Sequence, residues 1–405
     1  MEAKIEFIPS GTVTSPEGFH AGATSAAIKR GTRGKLDLGL LFSEAPCEAT
    51  ALFTTNRIKA APVVLSQERL QSGRALAVVV NSGCANACTG EQGLADATRM
   101  TDLAAEGLGI SPEDVVVAST GVIGKRLPMK RISGNMDQII LSPDGGHDLV
   151  RAMMTTDTVP KEVAVTVRVN GDQFIIGGIA KGSGMIHPNL ATLLCFLTTD
   201  ARVDIDFLRL ALQEAVDVSF NMISIDGDTS TNDMVLVMAN GLAENKIIKQ
   251  GSAQVDAFQQ ALTQICLYLA KSIARDGEGA SKLIEVTVSG APTLAEARVA
   301  ARTVVSSPLV KTAIYGNDLN WGRIMAAVGR SGVEVVESKI NLYIGDTCLV
   351  RSGRPVRFDK KRVLAIFGSR EVPVSLQLNL GLATATAWGC DLSEEYVNIN
   401  SHYTT

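Results

Sequence analysis

Apolar and polar positions recur along this chain with two periods, and the switch between them marks out its elements. Ala75-Leu76-Ala77-Val78-Val79-Val80 is an unbroken apolar run ending in the turn-rich Asn81-Ser82-Gly83, and Val115-Val116-Val117-Ala118 is another, ending in Ser119-Thr120-Gly121. Runs of this length predict strands covered on both faces. Residues 163–169 alternate instead, Asn170-Gly171 follows, and 173–179 are apolar again. Asn-Gly between two such runs predicts a tight hairpin. Its outgoing arm leads straight into the loop 181–192, and Leu193-Leu194-Cys195-Phe196-Leu197 is apolar once more.

The second half changes period. Val255, Phe258, Leu262, Ile265, Leu269 and Ile273 are spaced by three and four, one face of a helix of about six turns. That helix should stop at Asp276-Gly277-Glu278-Gly279. A strand over 283–288 and a helix over about 294–305 follow, and alternating β pattern covers 339–344 and 375–385. Repeats, low-complexity segments and obvious linkers are lacking. Intermixed strands and helices predict an α/β protein with mixed sheets.

Composition narrows the class. The 405 residues are 46% hydrophobic and 20% charged, enough for a large core in a soluble globular protein, and no apolar run is long enough to span a bilayer. A net charge of −4 gives no basic footprint, so neither nucleic acid nor an anionic membrane is expected as a partner. Met1-Glu2-Ala3-Lys4-Ile5-Glu6 alternates in charge and lacks the apolar core of a signal peptide. Seven cysteines (47, 84, 88, 195, 266, 348 and 390) lie scattered in apolar surroundings, as reduced core thiols of a cytoplasmic protein would.

The candidate chemistry centres on Lys181-Gly182-Ser183-Gly184-Met185-Ile186-His187-Pro188-Asn189-Leu190-Ala191-Thr192. A threonine at the edge of a buried element, just after a bend, suits the nucleophile of a self-cleaving enzyme. Cleavage of Ala191-Thr192 would free an α-amine with a pKa of roughly 8, placed on the same residue as the hydroxyl it must deprotonate. The competing reading is an ordinary glycine-rich loop before a strand. Thr120 and Gly121, at the end of a buried strand, could present a hydroxyl and an amide to an oxyanion. In the competing reading Thr120 bonds only its own backbone in a turn. Cys84 and Cys88 have no second cysteine or histidine cluster, and His20, His147, His187 and His402 are isolated, so no metal is expected. Asp226-Gly227-Asp228-Thr229-Ser230-Thr231-Asn232-Asp233 lacks the spacing of a calcium loop and reads as a polar turn or substrate loop.

Taken together, these segments resemble one family over essentially the whole chain. Thr55-Asn56-Arg57, Asn81-Ser82-Gly83-Cys84-Ala85-Asn86-Ala87, Ser119-Thr120-Gly121-Val122-Ile123-Gly124, Met154-Thr155-Thr156-Asp157-Thr158 and the 181–192 loop occur in the order seen in ornithine acetyltransferases, also called glutamate N-acetyltransferases. The 226–233 block, Tyr315-Gly316-Asn317-Asp318-Leu319-Asn320-Trp321-Gly322-Arg323 and the tail 396–405 complete the likeness.

The resemblance implies a layered α-β-β-α fold shared with self-processing aminopeptidases, and self-cleavage at Ala191-Thr192. An α chain (1–191) and a β chain (192–405) would then intertwine in one fold, paired as an α2β2 heterotetramer. It implies that Thr192 takes an acetyl group from N-acetylornithine and passes it to glutamate in ping-pong fashion. No cofactor is implied, although acetyl-CoA is a second donor in some members. Thr120 and Gly121 match the oxyanion hole; Thr155, Lys181, Thr192, Glu278, Asn400 and Thr405 match substrate-contacting positions, with Thr156 standing beside Thr155. Leu190 replaces a common methionine and Ser401 a frequent alanine, both mild changes. Lys181 would either favour the neutral Thr192 amine by repulsion or bind a substrate carboxylate. Glu278 would bind the α-amine or the side-chain ammonium of ornithine. The runner-up is a self-processing aminopeptidase in which water replaces glutamate.

Overall fold

The hairpin expected at Asn170-Gly171 lies in the larger of two sheets, one strand in from its edge. The computed structural model describes residues 3–29, 34–187 and 193–402. In chain order the strands of the first half are β1 (Lys4–Phe7), β2 (Phe19–Thr24), β3 (Leu38–Phe53), β4 (Arg74–Asn81), β5 (Val115–Ser119), β6 (Lys161–Val169), β7 (Asp172–Lys181) and β8 (Leu194–Thr199). Those of the second half are β9 (Ile223–Ser224), β10 (Met234–Ala239), β11 (Leu283–Ala291), β12 (Asn341–Ile344), β13 (Thr347–Arg351), β14 (Arg354–Pro355), β15 (Glu371–Gln377) and β16 (Ala383–Cys390). The chain divides into two compact units that alternate along it: Met1–Gly182, Asn189–Asp217 and Thr229–Leu269 form one, and Ser183–Pro188, Val218–Asp228 and Ala270–Thr405 the other.

In the first unit the strand order is β1-β6-β7-β8-β10-β3-β4-β5, with β2 added on β3. Val169 pairs with Asp172, which leaves only Asn170 and Gly171 in the loop. Both are left-handed (φ 52° and 91°), the backbone that a two-residue hairpin needs to match the twist of its arms. β4 and β5 run parallel. Val78, Val80, Val116 and Ala118 enter one apolar cluster, while Ala77, Val79, Val115 and Val117 enter another. Successive residues point to opposite faces, so these strands are unbroken apolar runs because both faces are covered. β8 pairs antiparallel with β7 and parallel with β10, with Met234 opposite Leu194.

In the second unit the order is β14-β13-β12-β15-β11-β16-β9. The helix Leu294–Val305 buries Ala297, Ala300, Ala301, Val304 and Val305, a single face at helical spacing. It starts at Thr293, whose hydroxyl accepts the Glu296 N–H and donates to the Glu296 carboxylate, a reciprocal cap. The long helix spans Val255–Arg275, its residues up to Leu269 belonging to the first unit, with Phe258, Leu262, Ile265, Leu269 and Ile273 all buried as expected.

Three expectations need correction. The alternation over 375–385 is not one strand, because β15 ends at Gln377 and β16 starts at Ala383. Both strands pair with β11, one parallel and one antiparallel, so the chain must cross its end. It does so through Leu378 and Leu380, whose amides bond Ser289 and Gly290, with Asn379 left-handed between them. The segment 339–344 becomes a strand only from Asn341, after a short 3-10 turn at Glu337–Lys339. All seven cysteines are free thiols, but only five are buried; Cys88 is exposed on a left-handed turn (φ 57°) and Cys348 is half-buried. Among the described residues no helix is long and apolar enough to cross a membrane.

Candidate active site

Thr120 sits where β5 stops, in a seat made by the Asn81–Ala87 segment. The Asn81 carbonyl accepts the Thr120 N–H at 3.0 Å, and the Asn81 side-chain oxygen accepts the Ser119 hydroxyl at 2.6 Å. From the other side Asn232 donates through Nδ2 to the carbonyls of Ser119 (2.9 Å) and Ala85 (2.7 Å). Gly121 follows with φ 129°, and a Cβ there would lie 2.4 Å from the Gly83 carbonyl carbon. Only glycine fits this close approach of two backbones. The block noted first for its two cysteines therefore serves as a cradle for Thr120-Gly121.

Lys181 closes β7 and points into the same unit. Its ammonium donates to the Thr155 hydroxyl at 2.9 Å and to the Thr120 hydroxyl at 3.4 Å, and lies 4.0 Å from the Asp157 carboxylate. Thr120 thus bonds a side chain far away in sequence and not only its own turn. The Asp157 side chain is fully buried; Lys161 donates to it at 2.8 Å, as do the amides of Gly182 (2.7 Å) and Thr155 (3.0 Å). Burial alone would raise its pKa, but the charges of Lys181 and Lys161 and these hydrogen bonds outweigh it and hold the carboxyl at about 2. A buried charge requires such partners. Two lysines thus flank this carboxylate, and Lys181 also reaches the Thr155 and Thr120 hydroxyls.

The second unit holds a cluster of opposite sign. Glu278 is buried in its double-glycine loop, and its carboxylate accepts the Asn400 amide at 2.7 Å. Its own N–H donates to the Ser183 carbonyl at 2.8 Å, and any side chain at Gly184 would strike its carboxyl group. Asp226 accepts the amides of Met185 and Ile186 and so holds the later part of the 183–187 segment. Burial raises the Asp226 pKa, with these hydrogen bonds working against it. Burial also raises the Tyr396 phenol, and Asp226, Glu278 and Asp228 push it further. Nearby, burial and Arg302 lower the pKa of His187, whose Nδ1 meets the Ser224 hydroxyl at 3.1 Å.

Comparison with known proteins decides the family. The model of the ArgJ family matches residues 20–405. The chain is 52% identical over 405 residues to the arginine biosynthesis bifunctional protein ArgJ of Dehalococcoides mccartyi, covering 100% of both chains. It is 54% identical over 398 residues to the protein of the same name from Symbiobacterium thermophilum, covering 98% of this chain and 99% of that one. The chain belongs to the ArgJ family. A crystal structure of the ArgJ protein from Bacillus halodurans, 47% identical, covers 51% of this chain and 97% of its own, with a TM-score of 0.50. The resemblance drawn from the sequence therefore holds, as do the mixed α/β class and an acetyltransferase enzyme of arginine biosynthesis.

Of the residues singled out for this ArgJ family member, the structure brings Thr120, Thr155 and Lys181 together in one unit, and Glu278 and Asn400 in the other. Ala191, Thr192 and Thr405 lie outside the described residues. The hydroxyl meeting Lys181 includes that of Thr155, which stands beside Thr156 in sequence. Sequence reasoning missed Asp157, Lys161, Asp226, Asn232 and Asp233 as organising residues. Four of them lie inside blocks that carried the family resemblance, but nothing in a polar Thr-Thr-Asp-Thr stretch signals that its carboxylate is buried. The Tyr315–Arg323 block has a structural part: Lys282 donates to the carbonyls of Ile314 and Tyr315 and to the side chain of Asn317. Among the described residues no group of three or more His, Cys, Asp or Glu side chains is arranged to hold a metal ion.

Proposed function

We propose that this ArgJ protein cleaves itself at Ala191-Thr192 and then transfers acetyl from N-acetylornithine to glutamate through a Thr192 ester. The observation that carries this reading is the buried Lys181 ammonium shared by the Thr155 and Thr120 hydroxyls. Because the Thr120 oxygen accepts from Lys181, its own proton is left to donate elsewhere. With the Gly121 amide, that makes a donor pair for an oxyanion next to a fixed positive charge. The Bacillus halodurans chain corresponds to 51% of this one, a length in keeping with a cut near the middle.

In processing, the Thr192 hydroxyl oxygen attacks the Ala191 carbonyl carbon. The peptide C–N bond breaks, the nitrogen takes the hydroxyl proton, and water opens the resulting ester to leave an Ala191 carboxylate and a free Thr192 amine and hydroxyl. In transfer, that amine removes the hydroxyl proton as the oxygen attacks the acetyl carbon, and the proton passes to the departing ornithine amine. Glutamate then attacks the acetyl ester through its amine, and the proton returns to Thr192. Lys181 and Thr155 suit a substrate carboxylate, whereas Glu278, Asn400 and Thr405 suit an ammonium group. The name of the relatives, "bifunctional", supports acetyl-CoA as a second acetyl donor. A cytoplasmic α2β2 heterotetramer of the cut chains belongs to the same proposal and is read by native mass spectrometry.

The decisive comparison is wild type against Thr192→Ala, by denaturing gel, intact mass and acetyl transfer. Wild type should give two chains with a new N-terminal threonine and acetylate one of them. Thr192→Ala should stay one chain and transfer nothing; two chains from the variant would place the cut elsewhere. Acetate released from N-acetylornithine at the same rate without glutamate would favour a hydrolase.

A further inference from the structure

The first unit holds a second concave site, at the opposite end of β4 and β5 from the Thr120 seat. The two strands are parallel, with Asn81 beside Ser119 where both end. Arg74 at the head of β4 and Asp114 just before β5 therefore lie at the other end. The five residues of β5 span about 16 Å, so an amino-acid-sized ligand there is clear of a substrate held at Thr120. The cavity measures about 580 Å³, within the roughly 300–1,000 Å³ of small-molecule sites. Leu65 of the helix Ala61–Arg69 and Leu94 of the helix Gly90–Leu108 form its apolar wall. Glu68, Arg69, Arg74, Glu113 and Asp114 form its charged wall.

The frame of this cavity is fixed. The Ser66 hydroxyl, next to Leu65, donates to the Val117 carbonyl at 2.7 Å and accepts the Val117 N–H at 3.0 Å, which fastens the first helix to β5. Arg69 donates through Nη1 to the carbonyls of Pro112 and Val115, so its guanidinium is tied to the segment that carries Glu113 and Asp114. Burial lowers the Arg69 pKa, and the charges of Glu113, Asp102 and Glu68 work against it. The side chains of Glu68, Arg74, Glu113 and Asp114 make no ion pair among the described residues. Charges of both signs thus share one cavity without pairing with each other, which suits a ligand that carries both. Three carboxylates against two guanidiniums also leave the wall with a surplus negative charge. We propose that the cavity is a second amino-acid site, taking a free basic amino acid. The ligand carboxylate meets Arg74, its two cationic groups meet the carboxylates through charge-assisted hydrogen bonds, and its methylene chain lies along Leu65 and Leu94. A basic amino acid carries one net positive charge, which balances the wall.

Calorimetric titration of the full chain with L-arginine tests this, against Arg74→Gln, Glu113→Gln and Glu278→Gln. Arg74 and Glu113 are exposed, so their substitution leaves the fold intact; acetyl transfer within about twofold of wild type checks this. Each of those two variants should weaken arginine binding about tenfold, the loss of one charge-assisted contact. Glu278→Gln should leave it unchanged. L-norleucine, which keeps the methylene chain but lacks the side-chain cation, should bind wild type at least tenfold more weakly. No binding of L-arginine up to about 10 mM, an affinity weaker than roughly 3 kcal/mol, overturns the proposal. So does wild-type affinity in both Arg74→Gln and Glu113→Gln. A loss confined to Glu278→Gln would place the amino acid in the other cluster and overturn it as well.

Discussion

The two polar clusters of this ArgJ protein solve opposite electrostatic problems. In the first unit two buried lysines flank the Asp157 carboxylate, and one of them, Lys181, donates to threonine hydroxyls. In the second, Glu278 and Asp226 gather with an amide donor and a tyrosine, and the carboxylates raise the phenol pKa. A cationic pocket with hydroxyl donors suits negative charge, whether a carboxylate or a developing oxyanion. An acidic pocket with an amide suits an ammonium group. N-acetylornithine and glutamate, the proposed substrates, carry both kinds of group.

The contrast can be broken at its strongest point first. Thr120→Ala removes one oxyanion donor and should cost on the order of 10²–10³ in transfer rate. Unchanged single-turnover acetylation of Thr192 would remove Thr120 from that role. Asp157→Asn leaves two buried lysines without their shared counter-charge. It should cost about 3 kcal/mol of stability and lower the melting temperature by roughly 3–4 °C; an unshifted melting curve would show that Asp157 matters little to the first cluster.

The same carboxylate gives a pH signature. Its folded pKa of about 2 lies below the ordinary 3.8. The stability it contributes is therefore complete above about pH 4 and drains away as pH falls toward 2. The loss is roughly 2 kcal/mol, read from urea titrations across that range, and Asp157→Asn should flatten it. On the acidic side, Glu278→Gln should raise KM for N-acetylornithine about tenfold by removing a charge-assisted contact, with self-cleavage unchanged. An unchanged KM would show that Glu278 does not receive the ammonium. Asn400→Ala, which deletes a single bond to Glu278, should have the smallest effect, a KM increase of roughly fivefold, equivalent to about 1 kcal/mol. An effect larger than that of Glu278→Gln would reverse the assigned order.

Much of the fold was legible because strand and helix periods report which face of an element is buried. The 75–80 and 115–118 runs, the Asn170-Gly171 hairpin and the buried face of Val255–Arg275 follow from that signal alone. The alternation over 375–385 misled because a chain crossing from one side of β11 to the other can keep its period through the turn. Residue types marked the loop starting at Lys181 and the Thr120-Gly121 turn directly, whereas Thr155, Glu278 and Asn400 entered only as members of a family pattern.

Local sequence determined the elements, the left-handed turns and the place of the Ala191-Thr192 bond in the chain. It did not determine the charge environment. Asp157, Asn232 and Asp233 sit in polar stretches that look like surface turns, and their burial depends on which strands pack over them. Asn232 reaches carbonyls 113 and 147 residues away. A carboxylate's role depends on the charges and donors within a few ångströms, and only tertiary structure brings those groups from distant parts of the chain.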